Sequence, residues 1–406
     1  MIGRRAVLAG GIAALAAPPV VGQAPLRVLV IGGGAGGAAF ARTLALNATG
    51  GAEIVLLEPG RLYQPAFLSN LALTGIDDRA LRGAGYGPLS ALGITVIHDW
   101  ALPVDLATTE VRLAAGGALG WDRLVLAAGV EFDAASVPGW EPSYQGVMPH
   151  AWRGGAQVRL LADQIAAMRQ GGTFCMIAPP MGSRGDLAVL ERVTLVAQGL
   201  AQTNPGAKVL LIDPVAERPL ADGYAERWQA LPEGMLERVH TTDFAVRPEA
   251  MEVRLGEEVI PVDVCNVVPA QRAGPVVAAL ADGAGRVPAS PWTLQAEADP
   301  RVFVLGDLAA TGAPRSAQIA LTQAEAAASV LLEEIAGSFT HPPDYTDRAW
   351  PALGSGAAAE WVARHDLAPE GLSAPETGQN LTDPAANWAA GLDAHDGMLA
   401  RMLGPR

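Results

Sequence analysis

Cysteine is scarce in this chain. Cys175 and Cys265 are the only two cysteines among 406 residues. Each lies inside an apolar run, residues 173–177 and 264–268, where a small buried hydrophobe belongs. A disulfide between them would require neighbouring strands and is not expected. No Cys-x-x-Cys pair or Cys/His cluster is present and the six histidines are scattered, which argues against zinc, haem or iron–sulfur binding. Basic residues are outnumbered, 28 Lys and Arg against 42 Asp and Glu, for a net charge of −14. A surface of that sign argues against nucleic acid and anionic lipid and is compatible with a basic protein partner. Long uninterrupted apolar stretches are missing as well: residues 6–21 are too short, and too broken by Gly11, Pro18 and Pro19, for a membrane span.

Those residues read instead as part of an export signal. Arg4 and Arg5 precede an apolar core over residues 7–17, and Gly22-Gln23-Ala24 supplies small residues at a cleavage site. Twin arginines before a weakly hydrophobic core predict the twin-arginine route, which carries folded, cofactor-loaded proteins, and hence a periplasmic location. Removing residues 1–24 takes away two arginines and no acid, which moves the net charge from −14 to −16. The remaining length suffices for two or three domains, and 50% hydrophobic residues can fill a large core.

Glycine is plentiful, at 47 residues, and one cluster of it has an informative context. Residues 26–31, Leu-Arg-Val-Leu-Val-Ile, predict a buried parallel strand. Gly32-Gly33-Gly34-Ala35-Gly36-Gly37 follows, then an Ala/Leu-rich helix over 38–46, and a second strand over 53–57 that ends in Glu58. This is the strand–turn–helix fingerprint of dinucleotide binding. Gly32 permits the tight turn, Gly34 lets the backbone approach a pyrophosphate and Gly37 lets helix and strand pack, while Glu58 suits a ribose hydroxyl.

Two further strings complete the grip on a flavin dinucleotide. In Leu126-Ala127-Ala128-Gly129 a strand runs into a small-residue turn, and in Val302-Phe303-Val304-Leu305-Gly306-Asp307 a strand ends at a carboxylate that suits a ribityl hydroxyl. Ser316 is placed to cap a helix over 316–335, whose positive end would stabilise charge at the pyrimidine edge of a reduced flavin. FAD is therefore the expected cofactor, with Gly32, Gly34, Gly37, Glu58, Ala128, Gly129, Gly306, Asp307 and Ser316 as its binding residues.

The same architecture repeats. A helix over 158–168, a strand over 172–177, a helix over 187–203 and a strand over 208–212 form a second Rossmann-like unit. Its loop reads Ala178-Pro179-Pro180-Met181-Gly182-Ser183-Arg184. Prolines bring no amide donors, so the nest that would cradle a second pyrophosphate is missing and NAD(P) is not expected there. The predicted fold is α/β, two Rossmann-like domains with a C-terminal cap or interface segment. The FAD domain takes residues 25–155 and 259–337, the second domain residues 156–258, and the cap residues 338–406. Strand 265–268 is assigned to the returning first domain, and residues 393–406 are expected to pack poorly.

Several strings resemble one family. Met148-Pro149-His150-Ala151-Trp152-Arg153-Gly154-Gly155, Ile177-Ala178-Pro179-Pro180, Ser69-Asn70-Leu71, residues 266–274 and Gly306-Asp307 look like the flavoprotein subunit of flavocytochrome c sulfide dehydrogenase. The resemblance runs from the leader to the tail; related sulfide:quinone oxidoreductases share the fold. It implies a periplasmic FAD enzyme of glutathione-reductase-like fold, in which sulfide is oxidised at the flavin and electrons pass to a c-type cytochrome subunit. That family carries a flavin-linking cysteine and two redox cysteines. The matching positions here are Ala66, Gly185 and the neighbourhood of Ala349, so FAD is expected to be bound noncovalently. Glu191, followed by Arg192, matches a family Glu-Arg pair whose acid is placed to act as a base; a surface helix carboxylate beside an arginine is the other reading.

Two function classes remain open on the sequence. One is an exported FAD-dependent oxidoreductase that passes electrons from a small sulfur reductant to a c-type cytochrome. The other is a non-catalytic FAD-binding partner subunit or sulfur-compound carrier that has lost the redox disulfide. An NADH-dependent reductase is disfavoured by the prolines of the second loop.

Overall fold

Strands that are apolar on both faces organise the molecule into two parallel sheets, because such strands must be covered from both sides. The computed structural model describes residues 24–337 and 340–405. Arg4, Arg5 and the apolar core of the expected export signal lie outside the described residues.

In chain order, β1 (Leu26–Ile31), α1 (Ala35–Asn47), β2 (Ala52–Leu57), β3 (Thr95–Ile97) and β4 (Arg123–Leu126) begin the first unit. A second unit follows: α2 (Ala156–Ala166), β5 (Thr173–Ile177), α3 (Ala188–Thr203), β6 (Lys208–Asp213), β7 (Leu236–His240) and β8 (Val264–Val267). The chain then returns through β9 (Gln295–Ala296), β10 (Asp299–Val304) and α4 (Ala317–Ala336). The first sheet runs β9-β10-β4-β1-β2-β3, parallel except for β9, and the second runs β7-β6-β5-β8, parallel throughout.

Side-chain alternation along each strand feeds two cores per sheet. Val28 and Val30 pack with Phe40 and Leu44 of α1, whereas Leu29 and Ile31 face Trp121 and Leu124. In the second sheet Phe174 and Met176 pack under α3, and Cys175 and Ile177 face the opposite core. Cys175 pairs in register with Cys265 on the neighbouring strand, and both are buried free thiols.

Two expectations are corrected. The strand around Cys265 was assigned to the returning first domain; it is β8, hydrogen-bonded to β5 in the second sheet. The crossing comes later, where Ala270–Ala273 pairs antiparallel with Val130–Asp133. A buried parallel strand is apolar whichever sheet it joins, so composition alone could not place it.

The second correction concerns the tail. β11 (Thr346–Ala349), β12 (Glu360–Arg364) and β13 (Glu376–Asn380) form a three-stranded antiparallel sheet, and α5 (Pro384–Leu403) follows. Asp383 caps α5 by accepting the Ala386 amide at 3.0 Å, with Pro384 at the first helical position. Residues 393–406 were expected to pack poorly, yet Leu399, Met402 and Leu403 are buried, and the last two join the core of the first sheet. Their three-and-four spacing places them on one face of the helix. Among the described residues no helix is long and apolar enough to cross a membrane.

Candidate functional site

A cavity of about 1960 Å³ is lined by the loops of both sheets and by the C-terminal segment. Ordinary small-ligand pockets span about 300–1,000 Å³, so this one has room for an extended dinucleotide and a second small molecule.

The glycine turn after β1 forms one end. Gly32 has φ +102°, and its amide donates to the Leu57 carbonyl at 2.9 Å. A methyl group on Gly32 would meet the Ala127 carbonyl oxygen at 2.4 Å, and one on Gly37 would meet the Gly32 carbonyl oxygen at 1.9 Å. These two positions are closed by the protein's own backbone. Gly34 differs: a methyl group there meets nothing within 4 Å, and the residue lines the cavity. Helix α1 starts at this turn with no side-chain cap and no acid in its first turn, so its positive end is free for an anion.

Glu58 closes β2 and also lines the cavity. Its two carboxylate oxygens accept the amides of Gly33 and Gly60, each at 2.7 Å. Each oxygen keeps a lone pair for a ligand hydroxyl. Trp100, 62% exposed despite its size, lines the same cavity.

Further along lie Ala128, Gly129, Gly306 and Asp307. Gly129 and Gly306 adopt φ values of +68° and +69°, which favour glycine, and Gln323 fixes the second turn by accepting the Gly306 amide at 2.8 Å. Asp307 receives Arg184 at 3.3 Å. Ser316 caps α4: its hydroxyl accepts the Ile319 amide at 3.1 Å and donates to Asp347 at 2.7 Å. The capping bond thus ties β11 of the C-terminal segment to the start of α4. Burial pushes the Asp347 carboxyl up, against the opposing effect of that hydrogen bond.

Glu191 sits in the first turn of α3. It is not a surface carboxylate; it lines the cavity, with one oxygen accepting Asn70 Nδ2 at 2.6 Å and the other the Ala352 amide at 2.7 Å. Burial raises its carboxyl to about 7 even though both hydrogen bonds favour the ionised form. Its neighbour Arg192 is buried and fully engaged. The guanidinium donates to Asn70 Oδ1 at 2.8 Å, Asn266 Oδ1 at 2.9 Å and the Ala151 carbonyl at 2.7 Å, and stacks 4.4 Å from the centre of the Trp152 ring. Strings scattered along the chain, 69–71, 148–155 and 266–274, therefore meet in one polar network behind the cavity wall. His150 accepts the Trp152 amide through Nδ1 at 3.1 Å, and burial lowers its pKa to about 3, so it acts as a neutral strut.

Ala66, Gly185 and Ala349 all line the cavity, and among the described residues no cysteine does. Gly185 has φ +83° and faces Trp152, whose ring would lie 3.1 Å from an added methyl group.

The second dinucleotide loop is tied to the end of β6 by an arginine. Asp213, at the end of β6 where a Rossmann unit presents its ribose-binding acid, is wholly buried. It is held by Arg218 at 2.8 Å and Arg238 at 2.8 Å. Arg218 also donates to the Pro179 carbonyl at 2.6 Å, which ties its guanidinium to the proline loop. The prolines were legible in the sequence; the arginine plug was not. Among the described residues no group of three or more His, Cys, Asp or Glu is placed to hold a metal.

Comparison with known proteins agrees with this geometry. Residues 26–164 match the pyridine nucleotide-disulphide oxidoreductase family, and residues 158–269 match the central part of the sulfide dehydrogenase (flavocytochrome c) flavoprotein chain. Among solved structures, the sulfide:quinone oxidoreductase of Aquifex aeolicus superposes with a TM-score of 0.73 at 18% identity, over 94% of this chain and 92% of that one. A ferredoxin reductase from Rhodopseudomonas palustris gives 0.63 at 21% identity, over 83% and 82%. The reductase of a covalent putidaredoxin reductase–putidaredoxin complex gives 0.68 at 16% identity, over 91% and 93%. At these identities the likeness is one of fold.

Proposed function

We propose that this chain, whose residues 26–164 match the pyridine nucleotide-disulphide oxidoreductase family and 158–269 the central part of the sulfide dehydrogenase flavoprotein chain, oxidises a small sulfur reductant directly at a noncovalent FAD and passes the electrons to a c-type cytochrome in the periplasm. The observation that carries this reading is one cavity that holds both an open dinucleotide turn at Gly34 and a half-buried acid at Glu191, with no cysteine along its wall among the described residues.

FAD fits the residues present. Gly34 and the start of α1 would receive its pyrophosphate, Glu58 a ribose hydroxyl and Asp307 a ribityl hydroxyl, while the N-terminus of α4 would face its pyrimidine edge. When bound, the cofactor accepts an electron pair and returns electrons singly. Oxidation of hydrosulfide to zero-valent sulfur releases two electrons and one proton. Glu191, with its carboxyl raised to about 7 and held by Asn70 and the Ala352 amide, accepts that proton in its ionised form. Arg192, stacked on Trp152, holds Asn70 in place against it. The twin arginines at Arg4 and Arg5 support export, and a net charge of −14 suits a basic cytochrome partner.

Anaerobic titration of the FAD-loaded protein with sulfide, followed by cytochrome c, tests the proposal. Bleaching of the flavin band and its return on adding oxidised cytochrome are expected. A flavin that no sulfur reductant bleaches would instead assign the chain to the non-catalytic class, the reading favoured by the small residues Ala66, Gly185 and Ala349.

A further inference from the structure

The mouth of the cavity carries a second set of unused groups. A side chamber of about 390 Å³, lined by Met181, Gly182, Gln271, Arg286, Gly312 and Arg315 among others, shares these residues with the wall of the main cavity. Two half-buried guanidinium groups meet there. Arg315 donates to the Gln271 carbonyl at 3.2 Å and Arg286 to the Gly182 carbonyl at 3.3 Å. Arg184 nearby is paired with Asp307, but among the described residues neither Arg286 nor Arg315 forms an ion pair.

Two buried donors at this place also lack partners among the described residues: Nε of Arg315 and Nε2 of Gln271. Gln271 is only 6% exposed, and its amide orientation is fixed because Oε1 accepts the Arg184 amide at 2.9 Å. Its NH₂ group therefore cannot flip to find another acceptor. Leaving such donors unsatisfied is costly, and two donors without acceptors beside the Arg286 guanidinium call for an anion with several acceptor oxygens. Burial, and then the neighbouring Arg286 charge, lower the pKa of Arg315 to about 10. The guanidinium groups of Arg184, Arg286 and Arg315 gather here with the carboxylates of Asp186, Asp282 and Asp307 around them.

We propose that Arg286, Arg315 and the Gln271 amide form a subsite for a compact oxyanion, such as a sulfur oxyanion, at the entrance to the flavin cleft. The subsite depends on the functional reading above only for its placement beside a redox cofactor. The guanidinium groups supply charge and directed N–H donors, and the fixed amide supplies the third contact.

Calorimetric titration of the purified protein with thiosulfate, sulfite and phosphate, with FAD content measured in parallel, tests this. Saturable binding that weakens in both R286Q and R315Q is expected, by about 10-fold or more for each lost charge-assisted contact. Tighter binding of thiosulfate or sulfite than of phosphate assigns a sulfur source, and the reverse order assigns a phosphate-bearing ligand; both support an oxyanion subsite. No saturable binding, or binding unchanged in both folded variants, overturns it. A colourless protein that still binds the anion would refute the flavin reading and leave the subsite standing.

Discussion

Replacing Glu191 with glutamine tests the chemical heart of the site and its energetic cost at once. The carboxyl is raised from 4.5 to about 7 by burial, which at about 1.4 kcal/mol per unit corresponds to about 3 kcal/mol. In the folded protein the acid keeps its proton up to about pH 7, whereas the unfolded chain releases it near pH 4.5. The group's contribution to stability is therefore highest below the unfolded value, falls as pH rises between the two, and levels off above the folded one. Glu191→Gln removes that fall. In both the protonated acid and the amide one oxygen stops accepting, so Asn70 or the Ala352 amide loses a partner in either case, and the two proteins should be matched at about pH 5. At about pH 8 the variant should be the more stable by up to about 3 kcal/mol, read as the difference in urea unfolding free energy of the FAD-loaded proteins.

Activity should move the other way. General-base assistance is worth about 10²–10⁴-fold, so stopped-flow bleaching by sulfide at about pH 8 should slow by at least about 100-fold in the variant. The titration of sulfide itself is common to both proteins and cancels in the ratio of their rates. A variant that reduces within threefold of the parent, with the same pH profile, would refute the role given to Glu191. An unchanged stability difference between the two pH values would refute its burial.

Other residues separate folding from cofactor binding. Gly34→Ala should fold with an unchanged apo melting temperature, since nothing lies within 4 Å of the new methyl group, yet bind FAD at least about 10-fold more weakly where the backbone must approach a phosphate. Gly37→Ala, with its methyl 1.9 Å from the Gly32 carbonyl oxygen, should lower the apo melting temperature itself. Trp100→Ala should weaken FAD binding by about 10-fold, the usual value of one aromatic–base stack, with little change in apo stability because the ring is 62% exposed. Asp213→Ala, which strands the buried Arg218 and the half-buried Arg238, should cost about 3–5 kcal/mol in chemical unfolding; a loss under about 1 kcal/mol would contradict the buried pairing.

How much of this was legible in the sequence depends on how local each constraint is. The turn at Gly32, Gly34 and Gly37 could be read because its requirements, a positive φ, an open approach and a close packing contact, fall on residues a few positions apart. The cap at Ser316 was readable for the same reason. The sheet joined by Cys265 was not, since a strand buried on both faces looks alike in either sheet. The packing of α5 was hidden because Ala and Gly dilute the spacing of Leu399, Met402 and Leu403. The plug at Asp213 involves Arg218 and Arg238, and the polar network joins Asn70, Arg192 and Asn266; nothing in the spacing of these residues announces their contact.

The wall that lacks cysteine among the described residues also resists its introduction. A cysteine at Gly185 would need a left-handed backbone at φ +83° and a side chain starting 3.1 Å from the Trp152 ring, and that ring cannot readily withdraw. Its indole N–H donates to the Arg184 carbonyl at 2.6 Å, and Arg192 stacks on its face at 4.4 Å. Moving Trp152 would thus disturb the network that positions Asn70 against Glu191. The same pieces make a purely structural explanation of the acid uneconomical: a carboxyl held against its preferred ionisation at a cavity wall lowers stability at neutral pH. A glutamine would keep one of the two contacts to Asn70 and the Ala352 amide, as the protonated acid does, without that cost. That cost is what the proton exchange proposed for Glu191 would account for. Ala66, Gly185 and Ala349 line the same cavity as Glu191.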